Sequence, residues 1–178
     1  MDNIIMTDQY IDTTDYDQDD WNIILEQVHK DNKDICSSDK KIHLSARNVP
    51  SAWRYLKVEL NTKTVSATGT HDDPATIWKC DKWSDGSLQF ITDMTPNFIM
   101  YICNWQLMAR KRDKKTDDKD DQTKFIPYFL DQNHCTLESK GTRGVYLAFD
   151  DTGRFKNQRD GQIDSNDKHL LLQIFKPT

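Results

Sequence analysis

The pattern of apolar and polar positions changes once along the chain, near residue 40. Residues 1–19 are polar, acidic and poor in branched apolar side chains. Such a segment cannot bury enough surface to offset its ordering entropy, so order is not expected there. Beyond it, Trp21, Ile24, Leu25 and Val28 fall at i, i+3, i+4 and i+7, with Asp19 or Asp20 placed to cap them. This spacing predicts one short amphipathic helix, either a plug that docks on the body or a linear motif for a partner. From Lys41 onward the pattern becomes short runs rich in β-branched and aromatic residues, separated by Asp, Asn, Ser and Gly. Eleven runs fit strands: IHLSA, RYLKVEL, TVSAT, ATIWKC, SLQFIT, FIMYIC, QLMAR, KFIPYFL, CTLES, GVYLAF and HLLLQIF. Their even spacing predicts a barrel or a sandwich.

A repeat chooses between the two. An aromatic-aliphatic pair opens a strand at Tyr55-Leu56, again at Phe98-Ile99 and again at Tyr146-Leu147, at separations of 43 and 48 residues. Each pair leads into a strand, a polar turn and a second strand. Three such units are too few for a propeller but suit a barrel closed by hairpins about a pseudo-threefold axis. The expected fold is an all-β β-trefoil, a 12-strand barrel with a hairpin cap, in which the three pairs share one buried centre. The domain plan is an acidic arm over 1–40 and the trefoil over 41–178.

Charge sharpens that boundary. The 178 residues carry a net −5, yet residues 1–40 hold 11 acids against 3 bases, and the remainder holds 18 against 21. An arm of −8 therefore precedes a body of +3, and the overall charge says little about what the body binds. No apolar run is long enough to span a bilayer as a helix, so no membrane insertion is expected. The first residues are acidic where a signal peptide would be basic, and no Asn-x-Ser/Thr sequon occurs.

Candidate chemistry is sparse. The four cysteines (Cys36, Cys80, Cys103, Cys135) are widely spaced and read best as free thiols. The histidines are scattered without metal-site spacing, and His71-Asp72-Asp73, between Gly69-Thr70 and Pro74, reads as a turn. Neither a phosphate loop nor a nucleophile elbow occurs, so no enzyme activity and no cofactor are expected. The run Arg110-Lys111-Arg112-Asp113-Lys114-Lys115 is the densest basic cluster, followed by Asp117, Asp118, Asp120 and Asp121. It reads as a mixed-charge solvated loop, with an import signal or polyanion patch as the functional alternative. It lacks interleaved aromatics, and no nucleic-acid partner is expected. Trp53, Trp78 and Trp105 read as barrel or cap filler.

Several segments carry a likeness. GVYLAFDDTGRFKNQ, with its Tyr-aliphatic-Ala, Gly153, Phe155 and Lys156, resembles the last repeat of fibroblast growth factors. Residues 85–101 and 123–139 lie without gaps on other parts of that family's pattern, and the resemblance covers about 41–177. It implies a growth-factor-like ligand for a receptor tyrosine kinase ectodomain or another protein partner, extracellular, with heparan sulfate as co-ligand. Sugar positions of the family correspond to Asn48, Thr152, Lys156 and Lys168, and receptor contact is expected around Gln132, His134, Ile174 and Phe175. Departures from the family are Met94 and Thr123 at its usual cysteines, Ser45 and His134 at tyrosines, Gln132 at an asparagine and Pro127 at a glutamate. Two alternatives stay open. One is an intracellular interaction module similar to the non-secreted branch of the same family. The other is a trefoil cytokine of the interleukin type, whose Glu-Ser…Gly-x-aromatic-Leu pattern is approached by Glu138, Ser139, Gly144, Tyr146 and Leu147.

Overall fold

The computed structural model of the protein describes residues 40–49, 54–130, 134–156, 158–159 and 172–175. The acidic arm over 1–39 with its expected helix, and also Cys36, Gln132 and Lys168, lie outside the described residues. The fold is all-β, and its strands pair antiparallel throughout. Six strands close a ring: β1 (Lys41–Ala46), β4 (Trp78–Lys82), β5 (Leu88–Thr92), β8 (Phe125–Phe129), β9 (His134–Ser139) and β12 (Leu172–Phe175). Around it Ile42 faces Trp78, Cys80 faces Phe90, Leu88 faces Phe125, Pro127 faces Leu137, Cys135 faces Leu172 and Ile174 faces Leu44. The other six form three pairs: β2 (Tyr55–Glu59) with β3 (Thr64–Gly69), β6 (Phe98–Cys103) with β7 (Gln106–Lys111), and β10 (Val145–Tyr146) with β11 (Gln158–Arg159).

The core repeats at a nearly constant interval. Trp78, Phe125 and Leu172 are 47 residues apart and open β4, β8 and β12; all three have no exposed surface. Leu44, Phe90 and Leu137, at intervals of 46 and 47, are likewise fully buried on β1, β5 and β9. Alternate residues of a strand share a face, so these positions fill the inside of the ring from every side. Farther along the same strands come Ala46, Thr92 and Ser139, also buried but small or polar. The Trp78 indole does not waste its donor: Nε1 donates to the Leu56 carbonyl at 2.8 Å, tying the ring to the first hairpin.

The expected burial of the three aromatic-aliphatic pairs needs correction. Leu56, Ile99 and Leu147 are fully buried and Phe98 is 7 % exposed, but Tyr55 and Tyr146 are only half-buried. Neighbouring residues on a strand point to opposite faces, and the main core takes Leu56 and Leu147 from the first and third pairs but Phe98 from the second. The sequence pattern does not predict β11, two polar residues paired as Arg159 with Val145 and Gln158 with Tyr146. A two-residue polar strand carries no alternation to detect.

Glycine and positive φ mark two turns. Gly153, at φ 81°, brings the third hairpin against the first: the Ala67 N–H donates to its carbonyl at 2.8 Å. A Cβ there would lie 2.3 Å from the Ala67 oxygen, so only glycine permits this approach. At the β6–β7 turn, Asn104 (φ 50°) and Trp105 (φ 61°) both occupy the left-handed region. Two-residue hairpin turns favour that conformation, and Asn tolerates it, but Trp105 has a Cβ and is 44 % exposed. Replacing Trp105 with Gly is therefore expected to raise the unfolding free energy by about 1 kcal/mol. Denaturant unfolding of Trp105→Gly checks this; a loss of stability would show that packing of the indole outweighs the backbone strain.

Candidate functional site

The predicted sugar residues come together in part. Asn48 follows β1, and its side-chain amide donates to the Phe149 carbonyl at 2.8 Å and to Asp151 Oδ1 at 3.2 Å. Thr152 lies in the turn after Phe149, with its hydroxyl donating to Asp150 Oδ1 at 2.6 Å. Lys156 is exposed, and its backbone N–H donates to the Ala148 carbonyl at 2.8 Å. So Asn48, Thr152 and Lys156 sit on or against the 148–156 stretch, while Lys168 is outside the described residues. The donors are already committed, however. Burial would raise the Asp150 carboxyl, but the Thr152 hydroxyl and the Arg154 and Thr152 N–H groups outweigh it and lower its pKa. Two carboxylates therefore stand beside Arg154 and Lys156, which offsets the attraction a polyanion would feel.

Of the predicted receptor residues, His134 opens β9 half-buried, and its carbonyl accepts from the Leu130 N–H at 2.8 Å. Phe175 pairs its backbone with His43. Ile174 is a correction. It faces Leu44 across the β1–β12 pair and is 1 % exposed, so its side chain belongs to the core and not to a contact surface. A C-terminal position suggested a surface; alternation along β12 puts Leu172 and Ile174 inside.

The basic run is a mostly exposed, mixed-charge segment whose acids engage its arginines. Arg110 and Lys111 finish β7, and a short helix α1 (Lys114–Asp117) follows, capped by the Asp113 carboxylate accepting from Lys115 N. Asp117, 1 % exposed, accepts from Arg110 Nη2 at 2.6 Å and Nε at 3.1 Å, and from the Asp113 N–H at 2.8 Å. Arg110 also donates to Asp120 at 2.7 Å, and Arg112 to Asp81 at 3.1 Å. Gln89 on the ring secures the segment by donating to the Asp117 carbonyl at 2.9 Å and to Thr123 Oγ1 at 2.6 Å. Those acids hold the two arginines on the body, which leaves them poorly placed to serve as a free polyanion patch.

The most developed polar cluster centres on Glu138. It is 3 % exposed on β9, opposite Ile126 of β8 and Tyr146 of β10. Its Oε2 accepts from the Tyr128 hydroxyl at 2.8 Å and from the Tyr146 hydroxyl at 3.2 Å. Its Oε1 accepts from Arg143 Nε and from the Gly144 N–H at 3.2 Å. Next to it, Ser139 Oγ accepts from the Thr142 N–H at 3.1 Å, so Glu138 and Ser139 together fold the turn that leads to β10. Gly144, at φ 81°, completes that turn. Burial alone would raise the Glu138 carboxyl; the Tyr128 hydroxyl, Gly144 N–H and Arg143 guanidinium outweigh it and lower its pKa. Tyr128 and Arg143 were not singled out from the sequence. The signal available was a glutamate between Leu137 and Ser139 in an apolar strand, which demands partners.

A second titratable cluster lies at His43 on β1. Its ring is 1 % exposed, with Nδ1 3.1 Å from the Thr76 carbonyl, and it packs against Tyr55 and His71 at centroid distances of 5.1 and 5.3 Å. Burial, with the neighbouring His71, lowers the His43 pKa despite the Thr76 carbonyl, which raises it. Cys103 is a half-buried free thiol, and Cys80 and Cys135 are buried in the core. Among the described residues no group of three or more His, Cys, Asp or Glu could hold a metal ion, and no helix is long and apolar enough to cross a membrane. No family model matches the chain, and no curated protein matches its sequence.

The two clusters titrate in separate windows. His43 has a folded pKa below its ordinary 6.5, so the unfolded chain binds its proton first. Stability is expected to fall as pH drops below about 6.5, and His43→Gln should flatten that limb. Glu138 has a folded pKa below its ordinary 4.5, so its contribution is present above that pH and lost as pH falls through the folded value. Unfolding midpoints at closely spaced pH values check both limbs. If Glu138→Gln leaves the more acidic limb as steep as in the parent, its carboxylate is not what titrates there.

Proposed function

We propose that residues 41–178 form a β-trefoil that serves as a secreted-type signalling ligand for a receptor ectodomain, of the interleukin-like kind in preference to the fibroblast-growth-factor kind. Support for the trefoil is the six-stranded ring with three attached strand pairs and a core recurring at 46 or 47 residues. The observation that carries the choice of kind is the Glu138 cluster. The residues of the interleukin-type pattern, Glu138, Ser139, Gly144 and Tyr146, make one hydrogen-bonded turn, with Leu147 buried behind them. Their presence together thus has a physical reason, whereas the growth-factor positions hold departures such as Pro127, Gln132 and His134. The action would be binding, with no bond made or broken: a rigid ring fixes the outer side chains, which lowers the entropy lost on association.

The half-buried Cys103, a free thiol, favours one second reading, an intracellular interaction module, because such a thiol persists more readily in a reducing compartment. Fractionating cells that make the protein separates the two: the ligand reading expects it in conditioned medium, and confinement to the lysate would contradict that reading. Heparan sulfate as co-ligand has less support, since Asn48 and Thr152 spend their donors internally beside Asp150 and Asp151. On a heparin column the protein is expected to elute below about physiological salt. Retention well above it would restore the sugar site.

A further inference from the structure

Four large apolar or aromatic side chains are prominently exposed among the described residues: Leu60, Trp105, Tyr128 and Leu130. Two of them belong to one place. Tyr128 is 42 % exposed and Leu130 is 56 % exposed, and they lie two residues apart, so they share a face of the chain. Between them Phe129 turns inward and is 9 % exposed. The half-buried Ile126 continues the same row along β8. Across the ladder Tyr128 faces Thr136, and the hydroxyl of Tyr146 on β10 reaches the same Glu138 oxygen as that of Tyr128. The two tyrosine rings lie 6.5 Å apart.

This face has three properties of a protein-docking surface. Its tyrosines and arginine are residue types in which binding energy concentrates, and Leu130 adds exposed apolar surface beside them. Its tyrosines are held in place beforehand, because both hydroxyls are fixed on one buried carboxylate, so a partner need not order them. Its charge is one-sided toward solvent: the Glu138 side chain is 4 % exposed while that of Arg143 is 65 % exposed. An incoming surface therefore meets a guanidinium rim and not the carboxylate that balances it. A partner bearing an acidic group beside an apolar slot for Leu130 complements that arrangement. A bilayer fits less well, since attraction to anionic lipid calls for a cluster of four or more cations near the surface, and among the described residues Arg143 is the exposed cation of this face.

Resting on the signalling-ligand reading, we infer that the outer face of β8, β9 and β10, centred on Tyr128 and Leu130 and rimmed by Arg143, is where the receptor protein docks, with an acidic, apolar-slotted surface of its own. The test is saturation binding of the labelled full chain to intact cells, with Leu130→Asp against Leu60→Asp. Leu60, on the β2–β3 turn, is 47 % exposed and matches Leu130 in chemistry but not in place. Leu130→Asp is expected to weaken saturable binding at least tenfold, Leu60→Asp to bind as the parent does, and both to melt as the parent does. Tyr128→Phe, which keeps the ring and frees it from Glu138, is expected to weaken binding less than Leu130→Asp.

Equal binding by Leu130→Asp and the parent would overturn the face and leave the ligand reading standing, as would equal losses in both aspartate variants. Binding to phosphatidylserine vesicles that Leu130→Asp abolishes would make this a lipid-facing surface instead and overturn the inference. Absence of any saturable binding by the parent protein would overturn the ligand reading, and this inference with it.

Discussion

The structure depends on the antiparallel pairing of its first and last ring strands. Without β1 against β12, where residues 43–46 face 172–175, the six strands would be an open sheet with two bare edges. Open edges expose unpaired N–H and C=O groups and invite pairing with other chains; closure removes them. It also gives each inward side chain neighbours on every side, so Trp78, Phe90 and Phe125 can be buried without remainder. The cost is entropic, because the joined segments stand at opposite ends of the described body. Loop-closure entropy grows slowly with length, so the native ring can carry it, but contacts this distant in sequence are expected to make folding slow.

Around that apolar ring the polar groups do a different job. Gln89, Asp117, Thr123 and Arg110 fasten the long β7–β8 connection, and Glu138 with Ser139 fastens the β9–β10 turn. Burying carboxylates is costly unless they accept several hydrogen bonds, and both Asp117 and Glu138 do. Each cluster thereby fixes the course of the chain where the ladder alone would leave it free. The Glu138 cluster has a further consequence, since it also orients Tyr128 and Tyr146 on the outside. A core demand, satisfying one buried charge, thus shapes the outer surface.

Sequence patterning reached the strands but not their facing. Alternation and turn residues located all the ring strands, since HLLLQIF, CTLES and SLQFIT each read as half-buried or buried runs. KFIPYFL is nearly all apolar, so its period could not reveal that Tyr128 and Leu130 face out while Phe125 and Phe129 face in. The pairing of Arg110 with Asp117 and Asp120 was half visible, as opposite charges close in sequence, but the placing of the buried Asp117 involves Gln89, which is remote along the chain. The Glu138 hub was flagged by pattern likeness alone; its chemistry needed three strands side by side.

The most direct test of the closed ring is amide hydrogen exchange with cross-strand nuclear Overhauser contacts on the isotope-labelled full chain. The account predicts backbone contacts between Leu44 and Ile174 and between Ser45 and Gln173, with β1 and β12 amides exchanging only through global unfolding. Missing contacts at those pairs, or β12 amides that exchange far faster than those of β4 and β5, would mean that the sheet does not close.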